Sequence, residues 1–300
     1  MGILQGKVAV VTGAGRGIGR GHCLHLAKEG AAVVVNDVDI AEAQVVVDEI
    51  RASGGVASAS GVDMGSRRGA EDLIAQCVAE FGKIDALVNN AGIARDRSFL
   101  KMTDEEFDDV MRVHLYGTFW CSQAAARRMQ EQGTGGAIVN TTSAAHFGNF
   151  GQANYSAAKG GIASLTYTLA VELARYGIRV NAISPLGTTR MSAAVMGDSR
   201  APFIDPTLNG PMVAFLCSDE ADYITGQIFG TGGDRIVLLE QPKYGHRMIK
   251  AGGWSLDDIR QHFKSNLGNT LEPIGLFKNP YPFYGGVKPA GRPPGKSERS

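Results

Sequence analysis

Lys7-Val-Ala-Val-Val-Thr12, followed at once by Gly13-Ala-Gly-Arg-Gly17-Ile-Gly19, is the stretch whose reading decides the fold. The first part is a short β-branched run, and a helical pattern takes over from Arg20 to Glu29. Strand, glycine turn, helix is the order that sets backbone N–H groups and a positive helix end beneath a pyrophosphate. Gly13, Arg16, Gly17, Ile18 and Gly19 are therefore expected to line a dinucleotide site. The spacing is Thr-Gly-x-x-x-Gly-x-Gly; Ile18 fills the third glycine position of the commoner G-x-G-x-x-G, and no Lys-Ser/Thr pair follows as a P-loop requires. A glycine turn also serves as a plain tight connection, so the reading depends on the strands that follow.

Ala31-Ala-Val-Val-Val-Asn36 reads as a second buried strand, and Asp37 follows it about twenty residues after the turn. A carboxylate there accepts from both adenosine ribose hydroxyls and repels a 2′-phosphate, which favours NAD over NADP. Arg16 argues the other way, unless it pairs with a surface acid. A helix over Ile40 to Arg51 leads to a third strand ending at Asp63, placed with Met64 to meet the adenine edge. A helix over Arg67 to Phe81 precedes Ile84-Asp-Ala-Leu-Val-Asn89, and Asn90-Ala91-Gly92 then floors the cofactor site. Strands alternating with helices of this length imply right-handed βαβ units and a doubly wound parallel sheet of the Rossmann-like α/β class. Thr103-Asp-Glu-Glu106 is a capping-box start for a long helix that carries Val113 and His114. A lone helical histidine is as often structural as functional.

Gly136-Ala-Ile-Val-Asn-Thr-Thr142 reads as the next strand and delivers Ser143. Tyr155 and Lys159 then stand four apart on a helix running to about Tyr176, so a phenol and an ammonium share one face. A cation beside a tyrosine favours the phenolate and lowers its pKa toward neutrality, and a serine hydroxyl would hold the substrate oxygen. These residue types suit alcohol/ketone interconversion, although Tyr-x-x-x-Lys alone is also found on ordinary amphipathic helices. Ile178-Arg-Val-Asn-Ala-Ile183 is a sixth strand, and Pro185, Thr188 and Thr189 follow on a loop at the carboxyl edge of the sheet, where ligands of open α/β sheets bind. A loosely patterned substrate lid occupies about 190–209, a helix Gly210 to Asp219, and a last strand Gln227 to Gly230. This divides the chain into a dinucleotide-binding domain, 1–239, and a partly irregular C-terminal extension, 240–300. Within the extension, Ser255-Leu-Asp-Asp258 caps a short helix over Leu256 to Phe263.

The 300 residues carry 30 basic and 30 acidic side chains without a cationic run, so neither nucleic acid nor an anionic membrane is the expected partner. A small-molecule substrate is. Cys23, Cys77, Cys121 and Cys217 are scattered through apolar helical patterns, as buried, reduced thiols of a cytoplasmic protein would be. His22 and His25 share a helix face, but no carboxylate completes a ligand set, and no metal is expected.

Thr12-Gly13-x-x-x-Gly17-x-Gly19, Asp63, Asn89-Asn-Ala-Gly92, Ser143 and Tyr155-x-x-x-Lys159 together resemble the short-chain dehydrogenase/reductase family over about Gly6 to Gly233. Val35-Asn36-Asp37, the Asn89 to Phe99 stretch, Val113-His114-Leu115 and Gly148-Asn-Phe-Gly-Gln-Ala-Asn-Tyr-Ser-Ala-Ala-Lys159 are similar, within that family, to the (3R)-hydroxyacyl-CoA dehydrogenase part of peroxisomal multifunctional enzyme type 2 and its bacterial relatives. The resemblance implies NAD, hydride transfer at a secondary alcohol and a homo-oligomer, tetramer or dimer. It implies Tyr155 as acid–base, Ser143 orienting the oxygen, Lys159 on the nicotinamide ribose, His114 supporting a proton relay, and Thr189 near the carboxamide. His114 stands where most of the family has asparagine, Leu186 replaces a glycine after Pro185, and Ser143 is one residue closer to Tyr155 than usual, with Thr142 at the ordinary distance. Competing readings are the same chemistry on a steroid, sugar or quinone ketone, or a nucleotide-binding regulatory protein without turnover.

Overall fold

The computed structural model describes residues 2–189, 203–272 and 274–275. Its strands are β1 (Val8–Val11), β2 (Ala32–Asn36), β3 (Val56–Ser60), β4 (Ala86–Asn89), β5 (Gly136–Thr141), β6 (Ile178–Pro185), β7 (Ile228–Gly232) and β8 (Arg235–Leu239). Its helices are α1 (Gly17–Lys28), α2 (Ile40–Ala52), α3 (Arg67–Phe81), α4 (Asp104–Met111), α5 (Gly117–Gln132), α6 (Ala153–Leu173), α7 (Gly210–Cys217) and α8 (Leu256–His262). The strands make one sheet in the order β3-β2-β1-β4-β5-β6-β7-β8. All neighbouring pairs are parallel except β7 with β8.

The central strands are continuous apolar runs because helices cover both faces of the sheet. Successive residues take opposite faces. Ala9, Val11, Val33 and Val35 join Cys23 and Leu26 of α1, Val46 and Ile50 of α2 and Leu216 of α7. Val8, Val10 and Val34 join Leu73 and Cys77 of α3 and Cys121 and Met129 of α5. Chain order reverses between β1 and β4, which opens a crevice at the carboxyl ends of these strands.

Four local expectations are corrected. The third strand stops at Ser60 rather than Asp63, because the Asn36 side-chain amide donates to the Ser60 and Val62 carbonyls (3.3 and 2.9 Å) and leaves Asp63 in a loop. The long helix after the Thr103 capping box is interrupted by a π turn over Arg112–Tyr116 that contains His114. The helix after Gly210 ends at Cys217, where Arg179 donates to the carbonyls of Leu216 and Ser218 (2.9 and 2.8 Å). The sheet does not end at β7: Gly232 and Gly233, at φ 137° and 58°, turn the chain back into the antiparallel β8. Glycine supplies such turns without steric cost.

The extension carries α8, started by a reciprocal Ser255/Asp258 capping box, and leaves most of its side chains exposed. It returns far enough for Gly275 to approach Gly148, in the loop ahead of α6. The expected lid falls largely outside the described residues, as does nearly all of the Pro- and Gly-rich stretch from residue 273 onward.

Candidate active site

The crevice is a cavity of about 770 Å³. Its cofactor end is built mainly from backbone. Thr12 Oγ1 accepts from the N–H groups of Asn90 and Ala91, both at 3.0 Å, while Asn90 Nδ2 donates to the carbonyls of Thr12 and Gly13 at 3.0 and 2.8 Å. These bonds fasten the glycine turn to the end of β4. Gly13 sits at φ 59°, and a Cβ on Gly19 would stand 2.4 Å from the Gly13 carbonyl oxygen. Close helix–turn packing therefore falls to Gly19, which is why Ile18 is tolerated at the preceding position. Helix α1 begins without a side-chain cap and without an acid in its first turn, whereas Ser66, Thr103 and Ser255 cap α3, α4 and α8. An uncapped N-terminus facing a cavity is suited to an anion.

At the end of β2, Asp37 lines the same cavity; its Oδ2 accepts from the Gly15 N–H (3.0 Å) and its Oδ1 from the Asp39 N–H (3.1 Å). Arg16, the residue that would favour a 2′-phosphate, is ion-paired to Glu42 and lies 3.5 Å from Asp39. Asp63 Oδ1 accepts from the Gly65 N–H at 2.8 Å, and Met64 lies beside it in the cavity wall. Val38 and Val62 also line this end. Sequence reading missed both, although each directly adjoins a predicted acidic site residue.

The substrate end is built from side chains. Asn89 Nδ2 donates to Ser122 Oγ and Asn140 Oδ1, both at 2.9 Å, and Asn140 Nδ2 donates to Thr166 Oγ1 at 3.0 Å. This buried chain ties α5, β4, β5 and α6 together and fixes the helix that carries Tyr155. Thr142 is fully buried and donates its hydroxyl to the Lys159 carbonyl (2.8 Å). Ser143, one residue on, is only half-buried; its hydroxyl accepts from the Ala145 N–H (3.2 Å), and it lines the same cavity as Tyr155. Lys159 Nζ donates to the Thr141 carbonyl at 2.6 Å and lies 5.6 Å from the Tyr155 ring centroid.

These groups titrate differently from the sequence-based expectation. Burial brings the Lys159 ammonium down to about 7. Burial also raises the Tyr155 phenol above its ordinary value; the nearby Ser143 hydroxyl opposes the rise and Asp96 adds to it. The expected lowering of the phenol by Lys159 is absent, because desolvation disfavours both charged forms at once.

His114 stands edge-on to Tyr155, ring centroids 5.2 Å apart. Its Nε2 lies 3.0 Å from the Ile93 amide nitrogen and 2.8 Å from the Ile93 carbonyl, while Nδ1 is buried without a partner among the described residues. Burial, reinforced by the Lys159 charge, pushes the imidazole down to about 3, so it is neutral at physiological pH. Gly92 is required beside it: a Cβ there would stand 2.2 Å from His114 Cε1.

Gly92, Val113, Pro185, Thr188 and Thr189 complete the predicted cofactor lining, and the cavity also takes in Asn149 and Gln152. The backbone at Leu186 follows β7, with its N–H donating to the Thr231 carbonyl (2.7 Å). Asn209, fully buried and not singled out from sequence, donates to the Leu186 carbonyl (3.0 Å) and accepts from Thr231 Oγ1 (2.6 Å). The Thr188 N–H donates to the Ile204 carbonyl (2.7 Å), and the Ile204 N–H to Thr188 Oγ1 (2.9 Å), which holds Ile204, within the expected lid, against Thr188.

The uncapped N-terminus of α1, the glycine turn and the Asp37 carboxylate fit a nicotinamide dinucleotide, and a hydroxyl, a phenol and a lysine gather at the other end of the same cavity. This defines a dinucleotide-dependent oxidoreductase. The chain belongs to the short chain dehydrogenase family, whose profile matches residues 7–199. Such enzymes use a nicotinamide cofactor and act on CH–OH groups of small molecules. It is 44% identical over 273 residues to the hydroxyacyl-CoA dehydrogenase ChsB1 of Mycobacterium tuberculosis, covering 85% of this chain and 86% of that protein. It is 40% identical to the peroxisomal multifunctional enzyme type 2 of Mus musculus, covering 78% of this chain but 33% of that longer protein. A short chain dehydrogenase structure from Mycobacterium avium superposes with a TM-score of 0.83 at 41% identity, covering 91% of this chain and 98% of that one. Among the described residues no helix is long and apolar enough to cross a membrane.

Proposed function

We propose that the chain is an NAD-dependent dehydrogenase interconverting 3-hydroxyacyl and 3-oxoacyl thioesters. The observation that carries this is the single cavity with Ser143, Tyr155 and Lys159 at one end and Asp37 at the other. Bound NAD supplies the hydride acceptor. Glycines 13, 17 and 19 with the α1 N-terminus hold the pyrophosphate, and Asp37 holds the adenosine ribose. Arg16 is engaged by Glu42, so its guanidinium is not offered to a 2′-phosphate. Asp63 and Met64 bound the adenine, and Asn90, Ala91, Gly92, Val113, Pro185, Thr188 and Thr189 bound the nicotinamide half.

Ser143 orients the substrate oxygen; in oxidation the Tyr155 oxygen takes its proton as the phenol gives up its own toward Lys159, and in reduction both transfers reverse. Lys159, poised near 7, exists in both protonation states at neutrality; it binds the nicotinamide ribose and passes protons to and from the phenol. Neutral His114 steadies the Tyr155 ring and the Ile93 backbone. The thioester preference rests on the 40–44% identity to relatives named for hydroxyacyl-CoA and peroxisomal multifunctional enzymes. Residues 1–239 form the catalytic unit and 240–300 an extension. The exposed Ile236 and Leu238 of β8 and Leu256 and Ile259 of α8 support a homo-oligomer, which we place in the cytoplasm.

The test is NAD reduction with 3-hydroxyacyl thioesters against a sterol, a polyol and a hydroquinone. Thioesters are expected to give the highest kcat/KM, and a better sterol or polyol overturns the substrate reading. Tyr155→Phe should lower kcat by about 10³-fold with NAD affinity within about twofold; retained turnover removes Tyr155 from the chemistry.

A further inference from the structure

One cavity-lining side chain has no part in the chemistry above. Gln152, the residue preceding α6, is 6% exposed and faces the substrate end of the cavity. Its carboxamide is held on both sides: Nε2 donates to Asp96 Oδ2 and Oε1 accepts from Asn149 Nδ2, each at 2.8 Å. An ionised carboxylate only accepts, so Asp96 fixes which end of the amide is nitrogen. The backbone is pinned as well, by the Arg97 N–H donating to the Gly151 carbonyl (2.8 Å) and by a parallel bridge between Arg97 and Gln152. The amide nitrogen carries two N–H groups, and Asp96 takes one.

We infer that the second N–H of Gln152 recognises a neutral carbonyl oxygen on the substrate, in a 1,3 relation to the oxygen held by Ser143 and Tyr155. Gln152 and Tyr155 line the same cavity, three residues apart in the chain, so the amide and the phenol can address one substrate. A buried donor left without an acceptor is destabilising, and a substrate carbonyl relieves that cost. Asp96, directly behind the amide, disfavours a carboxylate at the same point, so the subsite selects an ester, amide or thioester carbonyl over a free 3-hydroxy acid. This inference rests on the dehydrogenase reading and sharpens its substrate class.

The test compares two probes, the N-acetylcysteamine thioester of 3-hydroxybutyrate and the matching thioether in which CH₂ replaces the carbonyl. The quantity read is the ratio of their kcat/KM values with NAD. Gln152→Met, of similar volume and without a donor, should lower that ratio about tenfold, as loss of one hydrogen bond predicts. Asp96→Asn, on the exposed loop, lets the amide turn and should lower the ratio about threefold; it supplies the same reading should Gln152→Met fail to fold. An unchanged ratio in a folded variant overturns the inference and leaves the dehydrogenase reading intact. Wild-type enzyme that oxidises neither probe overturns that reading and this inference with it.

Discussion

The two ends of the cavity are made differently. At the cofactor end the ligand-facing groups are backbone N–H donors, set by glycines and one carboxylate that itself accepts from two N–H groups. At the substrate end they are side chains, each held by partners far away in sequence: Lys159 by Thr141, His114 by Ile93, and Gln152 by Asp96. Backbone geometry follows from glycine positions within one short stretch, so it tolerates almost no added atoms. A network of side chains retunes with single substitutions and is the place where specificity is set.

The largest effect expected from this contrast is at Gly19. Gly19→Val places Cβ 2.4 Å from a main-chain oxygen that has no rotamer to escape into, and NAD affinity should fall at least about 100-fold. Isothermal titration showing near-normal binding would mean the turn relaxes and the backbone end is not rigid.

Acid stability separates the ends next. His22 of α1, beneath the cofactor end, and His114, at the substrate end, are both buried, and burial brings each down to about 3. Their unfolded value is near 6.5, so the unfolded chain binds more protons between those limits. Stability is then complete above about pH 6.5 and is lost as pH falls toward 3, with each imidazole contributing several kcal/mol, roughly, to the loss. Neither ring nitrogen of His22 has a protein partner among the described residues. His22→Leu should accordingly raise Tm in mild acid and flatten the fall, whereas His114→Asn should flatten it while also lowering kcat. Identical acid profiles for wild type and both variants would count against burial as the cause.

The smallest effect is at Asp37. Asp37→Ala should weaken NAD about tenfold and NADP less, because the lost carboxylate also repelled the 2′-phosphate. An unchanged NAD/NADP ratio would take cofactor choice away from this residue.

Much of the architecture was legible without coordinates. The Lys7–Gly19 stretch, the alternation through Phe81 and the order of the later strands follow from local period and turn chemistry, and α3 falls on the predicted residues. The unusual Ile18 was visible too, but its explanation in Gly19 packing was not. The predicted cofactor and catalytic residues lie around one cavity, since most follow the end of a strand, Tyr155 and Lys159 stand on α6, and Val113 and His114 come from the π turn. Missed were β8, hidden behind a glycine pair, the π turn at His114, and the clamp of Asn209 on Leu186.

By itself, the sequence determined that strands and helices alternate, where the glycine turn lies and which side chains come to the carboxyl edge, because these depend on neighbours a few positions apart. Tertiary structure alone decided that Thr142 spends its hydroxyl on the Lys159 carbonyl, that burial raises Tyr155 despite its lysine, that Arg16 is spoken for by Glu42, and that Gln152 is held by Asp96. Those outcomes depend on desolvation and on hydrogen bonds between residues distant in the chain, and no local pattern of residue types encodes either.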